Sequence, residues 1–169
     1  MKRGLMSDNN ELKNKITNWI IEEGATYSQS PDEDAEFRLI VNWGYDIDVI
    51  KEKTRQSLLS TSAWGFHDVK SVKAFSKLTK KQRLGFFYDL ETELLKFPIA
   101  YDIEPDTFEK LDAITFYHRV YLEDLTKSEF FNSLYLITRC KNFTRLFVTN
   151  KLDLDMDAPD TDDRKAGVA

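Results

Sequence analysis

The dominant pattern in the chain is a period of two. In residues 34–63, Phe37, Leu39, Val41 and Trp43 alternate with Glu36, Arg38 and Asn42, and Tyr45, Ile47 and Val49 then alternate with Asp46 and Asp48. Successive side chains of a strand point to opposite faces, so each run offers one face to a core and one to water. Ile40 breaks the polar side of the first run, which marks that face for a covering helix or a partner. Gly44 stands where the chain must turn or bulge. Residues 51–56 read as charged hairpin material, and residues 58–63, with their Ser and Thr, as a weaker third strand at a partly exposed edge. Alternation returns late in the chain. Residues 99–103 read as a strand, residues 104–106 as a polar turn, and in residues 112–122 Ile114, Phe116, Val120 and Leu122 alternate with Thr115, Tyr117, Arg119 and Tyr121. His118 falls on the apolar side of that run.

Between these runs the period changes to that of a helix. Leu12, Ile16, Trp19 and Ile20 form one apolar stripe, opened by Asp8 with Glu11 in a capping pattern and closed by Gly24, which tolerates the left-handed conformation that ends helices. Residues 25–30 fit a short strand, and Pro31 and Asp32 begin a turn. Residues 69–77 read as a short helical or irregular connector. Thr79 and Gln82 then form a capping box ahead of Phe86, Phe87, Leu90, Leu94 and Phe97, with Leu78 and Leu84 placed to join them and Pro98 as the stop. The last helix starts at Thr126 and Glu129, with Leu125 and Phe130 as a hydrophobic staple. Phe130, Leu134, Leu136, Ile137, Cys140, Phe143 and Phe147 make it apolar over more than half its circumference. Such a helix needs cover on two sides, from the sheet and the first helix or from a second copy of the chain.

Clustered strands exclude a parallel, doubly wound sheet. The expected class is α+β, an antiparallel sheet of five to six strands with helices packed mainly on one face, in the order α-β-β-β(-β)-α-β-β-α. A single domain is expected over residues 8–149, followed by an acidic tail over residues 150–169 that has the composition of disorder. At 169 residues, 41% of them hydrophobic and 13% aromatic, the chain can bury a core without disulfides. Its net charge is -5. The segment after residue 149 holds six acids (Asp153, Asp155, Asp157, Asp160, Asp162, Asp163) against Lys151, Arg164 and Lys165, so the rest is nearly neutral and nucleic acid is not an expected partner. No apolar run is long enough to span a membrane. The lone Cys140 excludes an internal disulfide and a multi-cysteine metal site, and implies a reducing, cytoplasmic setting.

Candidate chemistry is sparse. Asp46 and Asp48 are paired carboxylates, but they lie on the solvated face of a strand, where nothing separates their pKa values. Asp153, Asp155 and Asp157 copy the opening of a calcium loop, yet Ala158 and Arg164 occupy the positions that need Gly and Glu. The least ordinary loop carries Trp64, Phe66, His67 and Asp68, two aromatics beside a glycine and an ionisable pair, suited either to lining a pocket or to plugging the end of the core while His67 caps the next turn. His118 among apolar neighbours reads first as a satisfied core histidine. Lys80, Lys81 and Arg83 form a compact basic cluster, a solvated face or a contact for an acidic partner. No metal ligand set and no cofactor motif stands out.

The pattern Ile16-x-x-Trp19-Ile20-x-Glu22-Glu23-Gly24, the Pro31-Asp32 turn before an alternating strand, and the Val120-Tyr121 to Leu125-Thr126 strand-to-helix junction resemble an uncharacterised prokaryotic, largely archaeal family of hypothetical proteins. The arrangement is similar to the YbjN-like and type III secretion chaperone-like fold. The resemblance implies a small cytoplasmic α+β domain, often dimeric, that binds other polypeptides, and it carries no catalytic residues. Together these readings favour a non-enzymatic interaction module, chaperone-like or adaptor, acting as a homodimer on a protein or peptide partner through an apolar groove or sheet edge. The competing reading is a small-molecule-binding protein or enzyme using the loop at residues 64–68 with His118 and Tyr117 or Tyr121. Arg38 and Ile40, on the uncovered sheet face, are further candidate contact residues.

Overall fold

The computed structural model describes residues 5–105, 107 and 109–154. Its elements run α1 (Leu5–Glu22), β1 (Thr26–Gln29), β2 (Ala35–Asn42), β3 (Asp46–Glu52), β4 (Ser57–Gly65), α2 (Val69–Ser76), α3 (Lys80–Leu94), β5 (Ala100–Glu104), β6 (Ala113–Tyr121) and α4 (Lys127–Lys151), with one 3-10 turn (Leu122–Asp124) before α4. The strands form one six-stranded antiparallel sheet in the order β1-β2-β3-β4-β6-β5. This is the expected α+β architecture.

Alternation sorts the two faces as the sequence implies. Leu39, Val41, Ile47, Val49, Leu58, Ile114 and Phe116 are buried on the inner face, while Arg38, Ile50, Leu59 and Arg119 stand in one cross-strand row on the outer face. α4 lies over the inner face along β4 and β6 and buries Phe130, Leu134, Ile137 and Cys140 there. Its flanks are covered as well. Trp19 of α1 packs on Phe130 with ring centroids 6.1 Å apart, and Phe86 of α3 packs on Phe147 at 5.5 Å. Most of the apolar circumference of α4 is therefore covered within the chain, by sheet, α1 and α3, with Tyr135 and Leu146 left exposed. Gly24 and Gly44 adopt positive φ, 75° and 77°, at the end of α1 and in the β2–β3 turn, where a side chain would be strained.

Several expectations need correction. α1 extends back to Leu5, so Asp8 lies inside the helix rather than capping it. Residues 69–77, by contrast, take the helical one of their two expected forms, as α2, because Asp68 caps it and Phe75 anchors it in the core. β4 is a central strand of nine residues, between β3 and β6, and not an exposed edge; its Ser60 and Ser62 are buried small polar side chains beneath α4. Leu84 is exposed at 42% and does not join the inner face of α3. The segment assigned to the tail is helical through Lys151, and Leu152 is buried; residues 155–169 lie outside the described residues.

Lys51 was expected in a charged hairpin. It is instead the 2% exposed penultimate residue of β3. A register shift between Ala35 and Phe37 makes Glu36 the extra residue of a bulge, and its carboxylate lies 3.2 Å from Lys51 Nζ. The ammonium also donates to the carbonyls of Glu52 at 2.9 Å and Arg55 at 2.7 Å, tying down the β3–β4 turn. Removing one member of a buried ion pair strands the other. We expect Glu36→Ala to cost about 3 kcal/mol in urea unfolding, and Lys51→Met to cost less, because Glu36 alone can rehydrate. Leu134→Ala, which opens a cavity under the sheet, should cost roughly 2–5 kcal/mol. Near-zero effects in both Glu36→Ala and Leu134→Ala would contradict this packing.

Candidate functional site: a notch at the edge of β6

The residues singled out from the sequence do not converge on one place. Trp64 pairs across the sheet with Ile114, whereas His118 pairs with Ser60. Four residues along a strand separate the two positions, roughly 13 Å. Trp64 and Gly65 close β4 and do not belong to a loop as expected, and the segment at residues 64–68 is held by structural partners. Phe66 is buried and meets Phe75 edge-on at 5.7 Å, and Phe75 meets Phe86 at 5.3 Å, so the segment is one end of an aromatic chain leading through α2 and α3 to α4. Trp64 is half-buried beside Phe66, with centroids 5.9 Å apart. Asp68, not His67, caps α2, accepting hydrogen bonds from the Ser71 amide at 2.7 Å and its hydroxyl at 2.8 Å. Desolvation pushes the Asp68 carboxyl upward, but these bonds and the Lys70 amide outweigh it and hold the group below its ordinary value. His67 is exposed, its ring folded over Gly65.

Arg38 and Ile40 sit on the outer sheet face. Arg38 Nε donates to Asp48 at 2.7 Å, which with the attendant charge attraction raises the guanidinium pKa. Arg119 makes the matching contact to Glu52 at 2.7 Å, and that bond holds the Glu52 carboxyl below its usual range. Ile40, Ile50 and Leu59 are half-buried between these pairs. No described helix covers this face. Cys140 is fully buried under α4, and burial pushes its thiol up to about 11, so it is not a nucleophile at neutral pH.

The feature that sequence reading missed is a length mismatch at the sheet edge. β5 pairs with residues 113–117 of β6, ending at Ala100 opposite Tyr117, while β6 continues to Tyr121. Residues 118–121 therefore pair with β4 alone among the described residues. A cavity of about 370 Å³ opens there, lined by Pro98, Ile99, Ala100, Tyr117, His118 and Arg119. Tyr117 donates to Asp102 at 2.7 Å, and burial together with that bond raises its pKa. His118 is half-buried, and its Nδ1 is sealed from water with no hydrogen-bond partner. Burial lowers the His118 pKa, opposed in part by Glu129. The only sequence signal was the residue itself, a histidine on an apolar face. Register, which created the notch, was not readable.

The notch has free backbone donors and acceptors, an apolar floor and a polar rim. It holds no nucleophile with an adjacent base. Among the described residues no group of three or more His, Cys, Asp or Glu is placed to hold a metal, and no helix is long and apolar enough to cross a membrane.

A family model described as an uncharacterized conserved protein, DUF2299, matches residues 12–148. The chain belongs to this family. Among solved structures, the chain is similar in fold to an uncharacterized protein from Methanothermobacter thermautotrophicus, 20% identical over 83% of this chain and 98% of that one, with a TM-score of 0.77. YbjN from E. coli aligns over 83% of this chain and 92% of its own, at 10% identity and a TM-score of 0.43. No curated protein matches the chain. The expected membership in an uncharacterised, archaeal-type family is borne out, and the first of these structures shares the fold.

Folding that buries His118 in its neutral form makes stability depend on pH. The unfolded chain takes up the proton more readily, so this contribution is complete above the ordinary histidine value of 6.5 and is lost as pH falls through it. In a histidine NMR titration His118 should titrate below 6.5, and thermal stability should fall more steeply from pH 7 to 5.5 in the native chain than in His118→Gln. A His118 pKa at or above 6.5 would show that the ring is not enclosed.

Proposed function

We infer that this DUF2299 chain is a non-enzymatic polypeptide-binding module, of the adaptor or chaperone-like kind, that takes an extended segment of another protein along the open edge of β6. The observation that carries the reading is the notch. An extended peptide placed there adds a strand to the sheet, satisfies the free backbone groups of residues 118–121, and lays alternate side chains on Pro98, Ile99 and Ala100. Main-chain hydrogen bonds supply affinity in this mode, and the rim residues Tyr117, His118 and Arg119 supply selection. A cytoplasmic setting suits the single free thiol.

The module acts as a homodimer in this reading. On the outward side of α3 Tyr88 is 72% exposed, and Leu95, the residue that caps the helix seven positions on, is 75% exposed. Two copies packed along this side leave both notches free.

A second reading rests on His118. His118 lines the cavity and carries a ring nitrogen without a hydrogen-bond partner, which also suits a small molecule with one hydrogen-bond donor that reaches it when the ring turns. The two readings part in one experiment. Peptides selected by display on the native protein should bind with at least about a tenfold loss in Ala100→Arg, which fills the notch without touching the core, and should lose binding when their backbone amides are N-methylated. Insensitivity to both changes would overturn strand addition. Stabilisation by a metabolite that disappears in His118→Ala, with no peptide selected, would favour the small-molecule reading. Light scattering should report twice the 19.8 kDa chain mass, falling to one chain in the Tyr88→Lys/Leu95→Lys variant. A monomeric native protein would remove the dimer.

A further inference from the structure

The surface of α2 and of the first half of α3 is charged in one sense only. Residues 69–88 contain Lys70, Lys73, Lys77, Lys80, Lys81 and Arg83 and no Asp or Glu. Lys70, Lys73 and Lys77 recur at i, i+3 and i+7 along one stripe, and all five lysines are exposed. Lys73, Lys77, Lys80 and Lys81 have no carboxylate within 4 Å among the described residues. Like charges crowded on two consecutive helices repel one another, and the positive end of the α3 dipole adds to their field.

The field converges on a concavity. A cleft of about 460 Å³ is lined by Lys80, Arg83, Leu84, Thr107 and Glu109. Arg83 donates from Nη1 to the Glu109 carbonyl at 2.7 Å, while its Nε is sealed from water with no partner. Among the described lining residues Glu109 is the one carboxylate. The cleft therefore combines exposed ammonium groups, an unsatisfied guanidinium nitrogen and the exposed side chain of Leu84.

We propose that the chain's own acidic segment, residues 155–163, docks on this α2–α3 basic face. Charge complementarity is close: the segment holds Asp155, Asp157, Asp160, Asp162 and Asp163 and no base. The point of departure is also right. α4 ends against α3, with Lys151 paired to Asp89 at 2.5 Å and Phe147 on Phe86. From Asp89 back to Lys80 is nine helical residues, about 13 Å, whereas nine extended residues reach roughly 30 Å. The outer sheet face offers no comparable excess of positive charge, because its Arg38 and Arg119 are already paired to Asp48 and Glu52. Docking of this kind shields the basic face from other polyanions.

The test compares backbone amide spectra of the full chain with those of a chain ending at Leu154. At low ionic strength the amides of residues 70–84 should differ between the two. The differences should vanish at about 0.5 M salt, where screening confines charges to a few ångströms, and in the full-length Lys80→Glu/Lys81→Glu variant. A synthetic peptide of residues 155–163 added to the shortened chain should restore them. Coincident low-salt spectra over residues 70–84, or peptide-induced shifts located elsewhere, would overturn the proposal. So would a DNA duplex that binds the full and shortened chains equally and is lost in Lys80→Glu/Lys81→Glu, which would give the face to nucleic acid.

Discussion

The structure depends on α4 lying across the one apolar face of the sheet. Leu134, Ile137 and Cys140 are sealed between the helix and strands β4 and β6, and burial of apolar area of this kind is the main favourable term in folding. The rest of the chain is arranged around that contact. α1 and the α2–α3 pair fill its two flanks through Trp19–Phe130 and Phe86–Phe147. The strands need no second apolar layer, so the outer face carries ion pairs such as Arg38–Asp48 and Arg119–Glu52. Such pairs on a half-exposed face add little stability; they keep the face in register and wet.

With α4 at its centre and α1, α2 and α3 at its flanks, the core leaves the margins of the sheet free for function. The edge of β6 beyond Tyr117, the outward side of α3 and the basic face at its start are all outside the central contact. Each is a surface with unsatisfied backbone, apolar area or charge. These margins are where the proposed binding role is placed.

Much of the architecture was legible in the sequence, because alternation and capping are local. The inner-face residues of β2, β3 and β6 followed from a period of two, and the starts of α3 and α4 from Thr79 with Gln82 and from Thr126 with Glu129. What was not legible depended on pairing over distance. β4 looked like an edge because its Ser and Thr are polar; it is central because β6, more than fifty residues later, completes its other side, and buried serines fit the space under α4. Lys51 looked like surface because lysine usually is; a bulge at Glu36 brings it a counter-charge. The loop at residues 64–68 drew attention by composition, yet its aromatics belong to the core and Asp68 to a helix cap. The notch was invisible for the same reason as β4: it arises from where β5 stops relative to β6, and neither strand carries that information by itself.

The most direct test of this account is hydrogen exchange at residues 118–121 of β6 in the free protein. Alternate amides of an antiparallel strand face opposite neighbours, so those directed at β4 should be protected and those directed at the notch should exchange at least about a hundredfold faster, slowing when a peptide binds. Equal protection of all four amides in the free protein would show that the edge is already closed, and would contradict a polypeptide-binding role for it.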